Sequence, residues 1–391
     1  MKILVTGAHF TPAVATIEQL RKMDDIRIVY VGRNTTLEGD RARSVESKLF
    51  PLMGIKFISI TAGRLQRSLT VFTLLSLLKI PIGFFQALLI LFKERPDVIL
   101  SFGGYVGLPV VIIGWFFSIP VIIHEQALIP GLANKISSVF ADKIAVSFSN
   151  GAFTGKKVVL TGNPLRKEII EKSLDANINH LAPPAKPLAT RGQGGRKPAT
   201  VLVMGGNQGS HIINLTVEKC LVQLLKMAVV FHQTGDSKYR DFDRLEKLEG
   251  LGSLGEKYMV KKWIGEEYAK ILQKADLVIS RAGINTLTEL AFFGKPTLLI
   301  PIPNSEQNEN AKFFEDLGMA RILPQSKLSP WALLENVSFM LKRLDSLKKK
   351  AGETKKVVIP DAAKRLALET VLLGIMETCG EKKPEDIRPP A

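Results

Sequence analysis

Cysteine is scarce in this 391-residue chain, in which only Cys220 and Cys379 occur. The two lie far apart, in neither metal-ligand nor redox spacing, which excludes a disulfide framework and fits a reducing cytosol. Aromatic residues make up only 7% of the sequence, and no basic helix carries interleaved aromatics. We therefore rank nucleic acid last among the anionic partners and expect none to bind.

An uninterrupted apolar run is missing as well. Residues 71–92 form the most apolar stretch, but Lys79, Pro81 and Gln86 interrupt it well short of the roughly 18 apolar residues that a membrane span needs. Basic residues flank the stretch on both sides, namely Arg64, Arg67, Lys93 and Arg95. Such a helix is typical of a protein that lies on a membrane surface, whereas a helix packed against a sheet gives the same pattern. Both interpretations stay open and are compatible.

Positive charge is what the chain has in excess. The formal net charge is +16 at pH 7, which favours an anionic partner such as a phospholipid surface or a phosphorylated substrate. The first residues, MKILVTG, read as a strand and lack the regions of a secretory signal. We therefore expect a protein that stays inside the cell.

Short β-branched runs alternate with helical segments through both halves of the chain. The runs lie at residues 3–5, 26–31, 57–60, 98–101, 121–124 and 144–148, and again at 201–204, 229–232, 259–263, 277–280 and 297–301. This alternation predicts an α/β fold of two Rossmann-like domains, with parallel sheets that face each other across a cleft. We expect an N-terminal domain at 1–165, a linker or insertion at 166–199, a C-terminal domain at 200–358, a helix at 359–379 and a disordered tail at 380–391.

A glycine-rich turn opens the second half, where a strand leads into Gly205, Gly206, Asn207 and Gln208 before a helix. Glycines between a strand and a helix let backbone N–H groups approach a phosphate. Tight turns need glycine anyway, and neither a Walker A loop nor a G-x-G-x-x-G fingerprint is present. Arg33 at the end of the second strand would suit a 2′-phosphate, but an NADP oxidoreductase is disfavoured.

The N-terminal half places polar residues at predicted strand ends. His9 follows Thr6 and Gly7 in the first strand-to-helix turn, where an imidazole can reach the cleft and remove a hydroxyl proton, although a lone histidine is often structural. Glu125 follows another strand and belongs either to a binding floor or to a loop anchor. We treat His9 and Glu125 as the candidates for proton transfer.

The C-terminal half offers groups that suit a sugar nucleotide. Arg281 precedes a helix that carries Glu289, whose carboxylate can accept from a ribose diol or cap its own helix. Further on, Gln307 and Asn310 stand three residues apart and share a helix face. Uncharged amides suit sugar hydroxyls because each offers both a donor and an acceptor.

Taken together, these motifs resemble the MurG family of glycosyltransferases over nearly the whole chain. The resemblance rests on ordered motifs, namely Gly103-Gly104-Tyr105, His124-Glu125-Gln126 with Gly131 and Asn134, Gly162-Asn163-Pro164-Leu165-Arg166, Gly205-Gly206 with Gln208-Gly209 and Asn214, His232-Gln233, Arg281-Ala282-Gly283 with Thr286 and Glu289, and Gln307 with Asn310. It implies a GT-B fold and inverting transfer of N-acetylglucosamine (GlcNAc) from UDP-GlcNAc to lipid I, at the cytoplasmic face of the plasma membrane. No cofactor and no essential metal are implied.

The resemblance also implies roles for individual residues. Arg166 and the backbone at Ile264 would hold the uridine, Glu289 the ribose and Gln307 the GlcNAc hydroxyls. The remaining donor-binding residues would be Gly205, Gly206, Asn207, Gln208, Arg281, Ile284, Thr286 and Asn310. The acceptor-binding residues would be Thr6, Gly7, Gly103, Gly104, Tyr105 and Asn134. Residues 71–92, with Trp115, Phe116 and Phe117, would face an anionic membrane as a peripheral contact.

Two departures from the family pattern keep alternatives open. The first loop is shortened to Thr6-Gly7-Ala8-His9, and Ala127 stands where the family has an asparagine. A transferase with another membrane lipid acceptor and a degenerate UDP-sugar-binding protein are therefore the alternative hypotheses.

Overall fold

A computed structural model describes residues 1–34, 44–61, 63, 71–149, 153–175, 198–206, 209–236, 239–248, 251–265 and 267–378. Most of the predicted insertion, the predicted tail, and the predicted site residues Asn207 and Gln208 lie outside this part of the chain, as do Arg64 and Arg67. The chain divides into two compact units. The first comprises Met1–Arg166 together with the chain from Ile359 onward, and the second comprises Lys167–Val358.

The first unit is built on a parallel sheet. Its strands are β1 (Lys2–Thr6), β2 (Arg27–Gly32), β3 (Lys56–Ser59), β4 (Val98–Ser101), β5 (Val121–Glu125), β6 (Lys143–Val146) and β7 (Val158–Leu160). Its helices are α1 (Phe10–Leu20), α2 (Val45–Leu52), α3 (Val71–Glu94), α4 (Gly104–Phe116) and α5 (Leu132–Phe140). The strand order is β3-β2-β1-β4-β5-β6-β7, so the chain reverses its direction of winding between β1 and β4.

The second unit repeats this architecture. Its strands are β8 (Ala199–Met204), β9 (Ala228–Gln233), β10 (Tyr258–Lys261), β11 (Leu277–Ser280), β12 (Thr297–Leu299) and β13 (Ala320–Ile322). Its helices are α6 (Lys167–Asp175), α7 (His211–Met227), α8 (Asp241–Glu246), α9 (Tyr268–Lys274), α10 (Ile284–Phe293), α11 (Gln307–Asp316), α12 (Pro330–Lys342) and α13 (Leu344–Glu353). The order β10-β9-β8-β11-β12-β13 places the corresponding reversal between β8 and β11.

Each sheet is covered by apolar side chains on both faces, because parallel strands linked by helices bury both sides. In the first unit, Ile3 and Leu100 belong to a cluster on one face, while Leu4 and Ile99 belong to a cluster on the other. All four side chains are fully buried, and each such burial stabilises the fold by roughly 1.5–3 kcal/mol. Strands β1 and β4 therefore lie at the centre of the core, with apolar side chains packed on both faces.

The last helix, α14 (Ala362–Thr378), returns to the first unit and packs along α1 and β4. Leu366, Ala367 and Leu373 join the same core cluster as Ile3. Lys143 at the start of β6 also donates to Glu369 over 2.6 Å. The helix therefore anchors the end of the chain to the unit that begins it.

Candidate active site

The first candidate site lies where the winding of the first sheet reverses, at the carboxyl ends of β1 and β4, which is where ligands bind in open α/β sheets. The Phe102 N–H donates to the Thr6 carbonyl over 2.7 Å, and the Ala8 N–H donates to the Gly103 carbonyl over 3.0 Å. Gly7 has φ +134°, and a Cβ there would lie 2.8 Å from the Phe102 carbonyl carbon. Glycine is therefore required for the two loops to meet.

The predicted acceptor residues gather around these loops. Gly104 has φ +76°, and a Cβ there would lie 2.7 Å from the Ala8 Cβ. Tyr105 follows it in the first turn of α4, and a Cβ on Gly103 would collide with the Asn134 amide. The structure thus brings Thr6, Gly7, Gly103, Gly104, Tyr105 and Asn134 to one edge of the first sheet.

His9 is the N-cap residue of α1, and its side chain makes no capping hydrogen bond to that helix. The residue is partly exposed. Desolvation of the ring, aided by the positive charge of Arg33, lowers the pKa of His9 to about 4. The imidazole is therefore neutral at pH 7 and can accept a proton.

Glu125 is buried and its carboxylate is satisfied within its own loop. Oε1 accepts from the Ala127 N–H and Oε2 from the Asn134 side-chain amide, both over 2.8 Å. Burial raises the pKa of Glu125, and these donors partly offset the rise. The preceding His124 is also buried, with Nε2 3.1 Å from the Gly162 carbonyl. These are the contacts of a loop anchor, and the catalytic role of Glu125 stays a prediction.

Arg33 belongs to the same site, whereas its place in the sequence suggested only a contact with a 2′-phosphate. Its Nε lies 3.3 Å from Glu46 Oε1, and its guanidinium donates to the Tyr105 hydroxyl. The signal available in the sequence was its place directly after a predicted strand, on the edge that carries His9.

The second candidate site lies at the other reversal point, at the carboxyl ends of β8 and β11. Gly206 and Gly209 have φ +83° and +76°, and a Cβ on Gly209 would collide with the Thr234 carbonyl oxygen. Gly205 is equally enclosed, because a Cβ there would collide with the Ser210 backbone nitrogen. Helices α7 and α10 both begin here, and neither has a side-chain cap. Two helix N-termini with uncapped N–H groups favour an anionic group.

Arg281 links the two loops of this site. Its Nε donates to Ser210 Oγ over 3.1 Å, and its Nη1 donates to the Ile300 carbonyl over 2.9 Å. Desolvation lowers the pKa of Arg281, but a guanidinium stays charged in proteins. A fixed positive charge therefore lies beside the start of α7.

Gln307 and Asn310 differ in exposure and in the hydrogen bonds that their side chains make. Gln307 Oε1 accepts from the N–H groups of Ala282 and Ile302, over 3.1 and 3.2 Å. These contacts orient the side chain and leave its NH₂ to donate elsewhere. Asn310 is 1% exposed, and its amide donates to the Ala282 carbonyl over 3.1 Å. Asn310 therefore braces the loop that Gln307 also contacts.

Glu289, in the second turn of α10, is 3% exposed. Its Oε2 accepts from the Tyr268 hydroxyl over 2.9 Å, a contact that no motif in the sequence indicates. Ile284 and Thr286 lie in the first turn of the same helix.

Ile264 is predicted to hold the uridine through its backbone. Its N–H donates to Gln233 Oε1 over 3.1 Å. The backbone group of Ile264 that can accept a hydrogen bond from a nucleobase is therefore its carbonyl.

Arg166 ends the first compact unit and is partly buried. Its role in holding the donor stays a prediction. Among the residues that the structure describes, no group of three or more His, Cys, Asp or Glu side chains could hold a metal ion.

Comparison with known proteins finds a family match in each half of the chain. Residues 6–146 match the glycosyltransferase family 28 N-terminal domain, and residues 200–366 match the glycosyltransferase family 28 C-terminal domain. The UDP-N-acetylglucosamine–N-acetylmuramyl-(pentapeptide) pyrophosphoryl-undecaprenol N-acetylglucosamine transferase of Clostridium kluyveri is 33% identical over 358 residues, which cover 89% of this chain and 92% of that protein. The chain belongs to this transferase family.

Further relatives of the MurG family support the assignment. The enzyme of the same name from Legionella pneumophila (strain Paris) is 32% identical over 352 residues, covering 88% of this chain and 89% of that protein. The crystal structure of Acinetobacter baumannii MurG superposes with a TM-score of 0.68 at 23% identity, covering 95% of this chain and 99% of that one. The predicted resemblance and the α/β fold of two parallel-sheet GT-B domains are thereby confirmed.

Proposed function

We propose that this chain transfers GlcNAc from UDP-GlcNAc to the 4-hydroxyl of MurNAc-pentapeptide on undecaprenyl diphosphate, with inversion at the anomeric carbon. This is the lipid I to lipid II step of peptidoglycan synthesis, on which cell shape and division depend. The observation that carries the proposal is the family match over about nine-tenths of the chain, combined with a polar site at the reversal point of each sheet.

The second unit supports the donor half of the proposal. The N-termini of α7 and α10, together with the Arg281 guanidinium, suit the diphosphate of UDP. Glu289 suits the ribose diol, and the NH₂ of Gln307 suits a sugar hydroxyl. The Ile264 carbonyl suits the N–H of a uracil ring.

The first unit supports the acceptor half. The 4-hydroxyl oxygen attacks the anomeric carbon, the bond from that carbon to the diphosphate oxygen breaks, and UDP leaves with the electron pair. His9 takes the hydroxyl proton, because its imidazole is neutral at pH 7 and partly exposed. Glu125 is a weaker candidate, because both of its oxygens already accept hydrogen bonds within the protein.

Transition-state charge on the departing UDP needs stabilisation, which helix N-termini and a guanidinium provide without a metal. We therefore propose that no cofactor and no metal is required. The proposal predicts full activity in the presence of EDTA.

A peripheral membrane contact completes the proposal. On α3, four apolar side chains spaced three or four residues apart are 48–66% exposed, namely Ile82, Phe85, Leu89 and Phe92. Phe116 at the end of α4 is 71% exposed, and α4 packs against α3. Lys93 and Arg95 flank the stripe. Within the described residues, no helix is long and apolar enough to cross a membrane. This surface suits the anionic cytoplasmic face of the plasma membrane.

Transfer of label tests the proposal. Purified protein is incubated with radiolabelled UDP-GlcNAc and a lipid I analogue in detergent or vesicles, with and without EDTA. We expect labelled lipid II in both arms. Binding of UDP without any transfer would instead support the degenerate binding protein, and transfer only with another polyprenyl acceptor would reassign the substrate.

A further inference from the structure

Arg33 is a charged residue of the acceptor-side site that the proposed function does not use. It follows β2, and its guanidinium contacts Tyr105 in the first turn of α4. Its charge also acts on His9. The strand β2 lies beside β1 in register, with Thr6 opposite Val31. Arg33 is therefore a cation at the edge of the sheet that carries the candidate base.

The backbone and the side chain of Arg33 are both held in place. Its carbonyl accepts from Ser44 Oγ over 2.7 Å, and the same hydroxyl accepts from the Ser47 N–H at the start of α2. Glu46, in the first turn of α2, lies 3.3 Å from Arg33 Nε. Contacts within the protein thus position the cation, which lowers the entropic cost of binding a ligand.

The ion pair with Glu46 is asymmetric in its exposure. The Arg33 side chain is 25% exposed, whereas the Glu46 side chain is 5% exposed. The positive partner is therefore the one that meets solvent at this edge. A guanidinium also carries five N–H donors, more than its two described partners, Glu46 and Tyr105, require.

The class of acceptor supplies a matching anion. The relatives' name specifies a pyrophosphoryl-undecaprenol acceptor, so an acceptor of that class brings a diphosphate close to the hydroxyl that reacts. Arginine binds phosphate oxygens by charge-assisted and often bidentate hydrogen bonds. The N-terminus of α1, next to His9, adds uncapped N–H groups.

Resting on the proposed function, we propose that Arg33 binds the diphosphate of the lipid-linked acceptor. Its charge then couples acceptor binding to catalysis. Desolvation and, after it, the charge of Arg33 lower the pKa of His9. A bound diphosphate offsets the Arg33 charge, so His9 becomes the stronger base once the acceptor is present. The other titratable groups of this site are His124, Tyr30 and Tyr105. His124 interacts electrostatically with His9, and the Tyr30 hydroxyl interacts electrostatically with Glu46 and Arg33.

The test compares three variants in the transfer assay with a lipid I analogue. Arg33→Met removes the charge, Arg33→Lys keeps it, and Arg27→Met is the matched control, because Arg27 is exposed at the opposite end of the same strand. Inorganic pyrophosphate serves as a competitor against the acceptor. Arg33→Gln, which retains hydrogen-bonding capacity towards Glu46 and Tyr105, replaces Arg33→Met if that variant melts early.

We expect Arg33→Met to raise the acceptor KM roughly ten- to hundredfold, the range for hydrogen bonds to charged groups. The UDP-GlcNAc KM should stay the same, and inhibition by pyrophosphate should be lost. The acid limb of kcat/KM for the acceptor should move to higher pH, because removal of a neighbouring cation raises the pKa of His9. Arg33→Lys should return the acceptor KM, the inhibition by pyrophosphate and the pH profile most of the way to the parent values. Arg27→Met should match the parent in all three.

An unchanged acceptor KM, together with unchanged pyrophosphate inhibition in Arg33→Met, would overturn the inference while leaving the proposed function intact. A parent protein that transfers no GlcNAc would overturn the proposed function itself.

Discussion

Replacing Tyr268 by phenylalanine isolates one hydroxyl in the donor site. The Tyr268 hydroxyl donates to Glu289 Oε2 over 2.9 Å, and the two residues are 6% and 3% exposed. Phenylalanine keeps the ring and removes only this donor. A buried hydrogen bond to a charged group contributes about 1.5–3 kcal/mol. We therefore expect the free energy of unfolding of the second unit to fall by roughly that amount.

The same change should weaken nucleotide binding. If Glu289 accepts from the ribose diol, loss of its positioning partner loosens the carboxylate, and a loss of about 1.4 kcal/mol corresponds to a tenfold change in affinity. Calorimetric titration with UDP and with 2′,3′-dideoxy-UDP measures both the affinity and its dependence on the diol. We expect Tyr268→Phe to bind UDP about tenfold more weakly and to discriminate less between the two ligands.

Tyr239→Phe is the matched control for this experiment. Tyr239 lies in the same unit, is 50% exposed and stacks on His211 through a ring that phenylalanine retains. If Tyr268→Phe bound both nucleotides with the parent affinities, Tyr268 would have no positioning role and Glu289 would act without it.

Three further predictions address the base, the buried histidines and the membrane. His9→Ala should lower transfer by roughly 10²–10⁴-fold while UDP titration stays unchanged, and parent-like turnover would remove His9 from the mechanism. Burial lowers the pKa of His124 to about 4 and of His232 to about 3, below the unfolded value of about 6.5. The unfolded state therefore binds more protons below pH 6.5, so urea titrations should show stability falling from pH 6.5 towards 4, by about 1.4 kcal/mol per pH unit for each histidine, with no such loss above pH 6.5. Phe85→Glu should reduce sedimentation with anionic vesicles but leave UDP binding intact, and undiminished sedimentation would contradict a contact through α3.

The strands of both sheets were largely predictable, because buried parallel strands appear in the sequence as short, nearly continuous runs of apolar and mostly β-branched residues. The two that were not predicted, β7 and β13, are three residues long and lie at the sheet edges. Their burial is partial, so their sequences carry a weaker apolar signal. Helix α3 was also predictable, and it continues through Pro81 to Glu94.

Contacts between distant segments could not be predicted from the sequence. The return of α14 to α1 joins residues more than 300 positions apart, and no local pattern encodes that pairing. The same holds for Tyr268 and Glu289, and for the two N–H groups that orient Gln307. The glycine-rich turns were predictable as turns, but the close approach that requires Gly7 depends on a neighbouring strand.

The glycosidic bond that the protein makes defines its activity. The most direct measurement offers UDP-GlcNAc in one reaction with a lipid I analogue, an undecaprenyl diphosphate without MurNAc and a second polyprenyl-linked sugar, and identifies products by mass spectrometry and NMR. We expect one product, GlcNAc in β-linkage on the 4-hydroxyl of MurNAc. An α-linkage, a preference for another acceptor, or consumption of UDP-GlcNAc without transfer would contradict it.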